Sequence, residues 1–169
     1  PLQDGPLSKT FGGSFLYHQK PNLVLLGMVV GLDYENPYIS PYKEFQRWKH
    51  HPEIAKHIQG GECISYGART LNEGGWHAIP KLTFPGGSLV GCSAGFLNAV
   101  KIKGSHTAMK SGMLAAEAIF PEMARAAKAA EEAGEGFKYQ NIEIPEYETN
   151  LRKSWIADEL KEVRNTHAA

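Results

Sequence analysis

The stretch GCSAGFLNAVKIKGSHTAMKSGMLAAEAIF, residues 91–120, limits the fold more than any other part of the chain. Gly91 and Gly95 allow a sharp turn and close approach of backbone to another group. Gly104 then breaks the chain before a helix expected over Ser105 to Phe120, which carries Ala108, Gly112, Ala115 and Ala116 along one side, small enough to approach a sheet closely. The opening N–H groups of such a helix have no intrahelical acceptor and attract anions, and Lys101, Lys103, Ser105, His106 and Thr107 add donors. An anion or an electron-rich ring edge, as in a dinucleotide, fits this set. So does a plain turn with alanines that simply pack, because the spacing does not match G-x-G-x-x-G.

At 169 residues the chain has the length of one ordinary domain. Its 18 basic and 18 acidic side chains balance, so charge favours neither nucleic acid nor an anionic membrane as a partner. Cys63 and Cys92 are the only cysteines and show no C-x-x-C spacing, which suggests neither a zinc site nor a disulfide framework. No apolar run approaches the roughly 18 residues that span a bilayer. The chain opens on Pro1 and runs into a strand without a start signal, as a piece of something larger would.

Ser14 to His18 and Leu23 to Val30 predict two strands joined by the tight turn Gln19-Lys20-Pro21-Asn22; the second is so apolar that both its faces are expected to be covered. Ser40 and Pro41 then predict a capped helix carrying Phe45 and Trp48 on one face and stopping at Pro52. ECISYGART reads as a strand opening into the LNEGGW loop, and two short apolar pieces flank Pro85-Gly86-Gly87. A strand, a glycine-rich crossing and a long helix form half of an α/β layer. A separate helix is expected after Pro121, ended by Gly134 and Gly136, and a final amphipathic one carries Tyr147, Leu151, Trp155 and Leu160 on a stripe. His50, His51 and His57 read as solvated helix-end residues, Lys110 with Ser111 as helix surface, and Trp48, Trp76 and Trp155 as core or interface anchors.

Several long words occur in one order: GGSFLYH, GLDYENPY, EFQRWKHHP, YGARTLNEGG, then GGWHAIPKLTFPGGSLVGCSAGFLNAVKIKGSHTAMKSGMLAAEAIF and YETNLRKSW. Together they resemble the electron transfer flavoprotein-ubiquinone oxidoreductase family over nearly the whole chain, except the alanine-glutamate stretch at 124–138. The resemblance implies a membrane-associated enzyme that carries FAD and a 4Fe-4S cluster and passes electrons from reduced electron transfer flavoprotein to ubiquinone. It places the dinucleotide fingerprint before Pro1 and the cluster-binding cysteines after Ala169. The implied location is the matrix side of the mitochondrial inner membrane in a eukaryote, or the bacterial inner membrane.

The implied fold class is α+β or α/β, part of a two-domain flavin-binding fold with a mixed or antiparallel sheet in the quinone-binding part and a strand and long helix completing the FAD domain. Residues 1–84 would form most of the quinone-binding part, 85–122 the end of the FAD domain, and 123–169 a helical segment leading to the iron-sulfur domain. Related flavin reductases carry GDAAG where GCSAG stands here, so Cys92 replaces an acid, and the backbone from Gly91 through Cys92, Ser93 and Ala94 to Gly95 must carry more of the cofactor contact. Gly104, Ser105, His106 and Thr107 would face the flavin's pyrimidine side, where helix-start amides favour the negative charge of a reduced flavin. Tyr66, Gly67 and Ala68 would lie beside the quinone, with the amides of Gly67 and Ala68 aimed at a carbonyl oxygen. No nucleophile is implied, and no metal ligand in this chain, because two thiolates cannot fill a cluster site. A flavin-dependent prenyl (geranylgeranyl) reductase shares the strand, turn and helix pattern, and a fragment without activity is the third reading.

Overall fold

The computed structural model describes residues 10–136 and 141–166. They form small antiparallel hairpins and five α-helices, an α+β arrangement, grouped in two compact units that divide between Gly67 and Ala68.

In the first unit β1 (Gly12–Gln19) pairs antiparallel with β2 (Leu23–Val30), with Gln19 opposite Leu23 across the Lys20-Pro21-Asn22 turn. The glycine that interrupts the apolar run has a packing reason. Gly27 lies opposite Phe15, and a Cβ at Gly27 would fall 2.1 Å from the Phe15 ring. Phe15 and Tyr17 sit side by side with ring centroids 5.5 Å apart. The expectation of a hairpin covered on both faces is corrected: Phe15, Tyr17, Leu23 and Leu25, which share one face, are exposed in this chain, while Leu16, Val24, Leu26 and Met28 on the other are half-buried.

Helix α1 (Pro41–Lys49) starts as the sequence predicts, with Pro41 in the first turn and the Ser40 hydroxyl accepting from the Lys43 N–H at 3.4 Å. Phe45 and Trp48 stack with centroids 5.9 Å apart. The chain does stop near Pro52, but only to start α2 (Pro52–Ile58), capped by His51, whose Nδ1 accepts from the Glu53 N–H. Residues 61–75 have no regular structure, so the strand expected from ECISYGART is not formed. Its alternation suits a ladder, but no described strand pairs with it, and an unpaired strand has no partners for its backbone groups.

The second unit contains the core: Leu82, Ala94, Phe96, Leu114, Ala115, Ala118, Tyr147, Leu151, Ile156 and Leu160, with Trp76, Ile79, Leu89, Ile119 and Ile144 packed around it. A small hairpin, β3 (Thr83–Phe84) and β4 (Gly87–Ser88), precedes a short 3-10 turn at Gly91–Ala94. Helix α3 runs unbroken over Ser105–Glu132, through Pro121, so the separate helix expected after that proline is instead its continuation. The run of alanine, glutamate, lysine and arginine that follows holds the helix despite the missing proline N–H, since its residues are strong helix formers. The stripe α3 buries is Thr107, Ser111, Leu114, Ala115 and Ala118, spaced at helical period, whereas Gly112 and Ala116 are exposed. Ser111, expected on the surface with Lys110, is fully buried.

The final helix also divides, into α4 (Glu146–Arg152) and α5 (Trp155–Glu162). At the break the Ser154 hydroxyl donates to the Leu151 carbonyl at 2.7 Å, a local bond that competes with helix continuation. Tyr147, Leu151 and Leu160 are buried as expected, but the bend turns Ile156 inward and leaves Trp155 partly exposed. Gly134 takes φ +65 just past the end of α3, in keeping with its expected role as a helix stop.

Candidate functional site

The two glycine elements singled out in the sequence are neighbours in space. Gly91 opens the 3-10 turn at φ +58, and a Cβ there would lie 3.2 Å from the Ala108 Cβ on α3. Its N–H donates to Ser111 Oγ at 2.9 Å, and that hydroxyl donates to the Ala108 carbonyl at 2.7 Å. Gly95 ends the turn at φ +84, where an added Cβ would meet nothing within 4 Å. Ala94 is buried, Cys92 half-buried and Ser93 exposed. The loop at 71–75 reaches this turn: the Asn72 N–H points at Cys92 Sγ at 3.3 Å, and Asn72 Nδ2 donates to the Cys92 carbonyl at 3.0 Å.

Gly104 precedes α3 with no side chain capping the helix, and the first intrahelical bond runs from Ala108 N–H to the Gly104 carbonyl at 2.9 Å. The amides of Ser105, His106 and Thr107 therefore open the helix as unpaired main-chain donors. Their side chains behave differently from one another. Ser105 is exposed. The Thr107 hydroxyl is fully buried, 2.6 Å from the Phe96 carbonyl and 2.9 Å from the Gly104 carbonyl, so it braces the turn and adds no outward donor. His106 Nε2 lies 2.9 Å from Glu159 Oε1, and its ring stacks on Trp155 with centroids 5.6 Å apart and planes 9° from parallel. Lys101 Nζ is 3.4 Å from the same carboxylate, and Lys103 Nζ turns back toward the carbonyls of Lys101 and Ile102.

Sequence reasoning missed Ser111, Asn98, Asn72 and Glu159. Ser111 was findable, because it stands four residues after Thr107 on the stripe that packs inward. Asn98 pairs its own backbone with Lys103 and accepts the Lys101 N–H on its side chain, a local turn a lone asparagine hints at only weakly. Glu159, 53 residues from His106, leaves no local signal at all. Every buried side-chain nitrogen and oxygen among the described residues has a partner, so a ligand at this place would meet main-chain amides and exposed side chains such as Ser93 and Ser105.

Tyr66, Gly67 and Ala68 lie in the irregular segment, with Tyr66 almost fully exposed and open space around the Cα of Gly67. His50, His51 and His57 are exposed at the ends of α1 and α2. Among the described residues no set of His, Cys, Asp and Glu could hold an ion, and Cys63 and Cys92 are both free thiols. No helix of the described residues is long and apolar enough to cross a membrane.

Three carboxylates, Glu143 just ahead of α4, Glu148 on α4 and Glu159 on α5, tie the C-terminal part of the chain to residues 81–106. Lys81 and Thr83 hydrogen-bond to Glu143 and hold its carboxyl below the ordinary range. Burial works against the charge of Glu148, but the Leu82 N–H at 3.0 Å and the Arg152 guanidinium outweigh it and lower its pKa. Burial likewise opposes the charge of Glu159, and His106, Asn98 and Lys101 together overcome it. Each group titrates lower folded than unfolded, so its contribution is complete above the ordinary value of about 4.5 and is lost as pH falls through the folded value. Urea midpoints should accordingly be level from pH 7 to about 5 and drop below that, and the triple substitution Glu143→Gln, Glu148→Gln, Glu159→Gln should flatten the drop; equal slopes for both proteins would contradict this assignment.

Residues 1–71 match the family described as ETF-QO, ubiquinone-binding. The chain is 58% identical over 163 residues to the mitochondrial electron transfer flavoprotein-ubiquinone oxidoreductase of Bos taurus, covering 95% of this chain and 25% of that protein. The Homo sapiens protein of the same name is 57% identical over the same shares, and that of Dictyostelium discoideum 55% identical over 95% of this chain and 27% of its own length. The chain thus spans about a quarter of the length of these relatives. These matches, over 95% of its length, support a fragment of an electron transfer flavoprotein-ubiquinone oxidoreductase.

Proposed function

We propose that this chain is the flavin-facing and quinone-facing part of an electron-transferring-flavoprotein dehydrogenase, which takes electrons from reduced electron transfer flavoprotein and delivers them to ubiquinone. The observation that carries the reading is the uncapped start of α3 set beside a turn of two left-handed glycines, at the residues the family resemblance assigns to the cofactor. That geometry fits a flavin: the turn is open at Gly95, and the nearby donors are amides that favour negative charge on a reduced ring. Cys92 stands where an acid would bind the ribityl and pyrophosphate region, so the backbone of Gly91, Ser93, Ala94 and Gly95 takes that contact. When bound, FAD and a 4Fe-4S cluster supply the one-electron chemistry. The chain's two cysteines cannot supply the cluster's ligands.

Gly104 lets the backbone approach the ring, Ser105 and His106 present their amides, and Thr107 fixes the turn through its buried hydroxyl. For the quinone, Tyr66 offers an exposed apolar ring, and Gly67, where an added Cβ would meet nothing within 4 Å, and Ala68 offer amides, within residues 1–84 as the quinone-binding part. Residues 85–122 would then complete the FAD domain and 123–169 lead on toward the cluster. The mitochondrial names of the relatives support a mitochondrial location, and the reading puts the intact protein on the matrix face of the inner membrane, or on the inner membrane of a bacterium.

The test is a coupled assay on the intact protein. With reduced electron transfer flavoprotein as donor it should reduce a short-chain ubiquinone and contain FAD and iron-sulfur cluster in equal amounts, while residues 1–169 expressed alone should retain little flavin. Reduction of a prenyl double bond without quinone reduction would favour the reductase reading. Stoichiometric yellow flavin on residues 1–169 alone would show that this segment suffices as a flavin site.

A further inference from the structure

The loop that leads into α3 is under strain and is held from outside. Asn98 and Lys103 close it with backbone bonds of 3.0 and 3.2 Å, and at its tip Ile102 takes φ +53, a conformation that branched side chains avoid. Such a residue persists only where its surroundings over-determine it. Within the loop the Lys101 N–H donates to Asn98 Oδ1 at 3.1 Å. The Thr107 hydroxyl braces the base of the loop on the Phe96 and Gly104 carbonyls, and a further restraint comes from α5. A single atom, Glu159 Oε1, lies 2.9 Å from Asn98 Nδ2, 2.9 Å from His106 Nε2 and 3.4 Å from Lys101 Nζ. Asn98 and Lys101 come before Gly104 and His106 after it, so one oxygen fastens both sides of the turn that opens α3. Trp155, one helical turn earlier on α5, fixes the plane of the His106 ring.

We infer that Glu159 is a positioning residue for the cofactor, acting through Asn98, Lys101 and His106 to hold the 98–106 loop in the shape that presents the α3 amides. The inference rests on the reading that flavin lies against the start of α3. The chemistry calls for a carboxylate: three donors on one oxygen, one of them the Lys101 ammonium, are matched by a full negative charge better than by a neutral amide. The geometry also explains why a side chain so far along the sequence is needed. The loop's own bonds leave Ile102 in its unfavourable conformation, and Asn98, fully buried, must be anchored on its amide nitrogen.

The experiment uses the intact flavin-loaded protein and its Glu159→Ala, Glu159→Gln and Leu160→Ala variants, with Ile156→Val in place of Leu160→Ala if the latter does not fold. Amide exchange over 98–107 and the rate of FAD release, followed by visible absorbance, are measured for each. Glu159→Ala should speed both at least about tenfold, as expected for losing charge-assisted hydrogen bonds, and Glu159→Gln should speed them less because its oxygen can stay in place. Leu160 and Ile156 are buried on the same helix, so their variants should lower overall stability and leave FAD release unchanged. Unchanged exchange and release in both Glu159 variants overturns the inference, as does equal acceleration in the core variant. If the wild-type amides of Ser105 to Thr107 exchange equally with and without FAD, the flavin reading fails and the inference with it; if they are protected by FAD yet indifferent to Glu159, only the inference fails.

Discussion

Valine at position 91 is expected to destabilise the protein by about 3 kcal/mol and to strip it of flavin. Two independent costs meet at this residue. A branched side chain held at φ +58 is strained by roughly 1–3 kcal/mol. Its Cβ would also press on Ala108 of α3 at 3.2 Å, and the γ-methyls would crowd a contact that is already tight, costing typically ~1–3 kcal/mol more. The relief available is to move the turn away from α3, which breaks the bond from the Gly91 N–H to Ser111 and separates the turn from the helix start. Urea unfolding and flavin absorbance per chain measure the two consequences. A variant with wild-type midpoint and full flavin content would show that the close approach of turn and helix is dispensable. Gly95→Ala is the informative companion: the same backbone strain without a neighbour within 4 Å should cost only about 1–2 kcal/mol.

Tyr147→Ala is expected to cost ~4 kcal/mol, within the range for deleting a buried ring, because Tyr147 is fully buried in the core. Its hydroxyl donates to the Leu89 carbonyl at 2.9 Å, and burial pushes its pKa up to about 12. Tyr147→Phe separates the two contributions. It keeps the ring and leaves the Leu89 carbonyl without this donor, for an expected loss of about 1–2 kcal/mol. Denaturant midpoints of the two variants decide the matter, and a loss under 1 kcal/mol for Tyr147→Ala would mean that α4 is not part of the core.

What could be read from the sequence was local. The Lys20-Pro21-Asn22 turn fixed the hairpin register, Ser40 and Pro41 fixed the start of α1, and Gly104 fixed the start of α3, each through backbone preferences confined to a few residues. The misreadings came where a distant partner decides. ECISYGART has the composition of a strand but no described strand beside it. The apolar β2 was expected to be covered on both faces, yet in this chain Leu23 and Leu25 are exposed. Pro121 was read as a break, although one missing N–H does not outweigh a long alanine-rich run. The candidate cofactor residues were found by their glycines and donors. Their supports, Ser111 on the buried stripe and Glu159 on α5, depend on packing between elements that are far apart in sequence.

The central claim is that the amides opening α3 and the backbone of the Gly91–Gly95 turn lie against one flavin. Hydrogen exchange read amide by amide on the intact protein, with FAD bound and with FAD removed, tests it most directly. The account predicts that FAD slows exchange at Gly91 to Gly95 and at Ser105 to Thr107 more than at the remaining amides of α3. Exchange at these residues that is the same in both states, with protection confined to other parts of the protein, would contradict it.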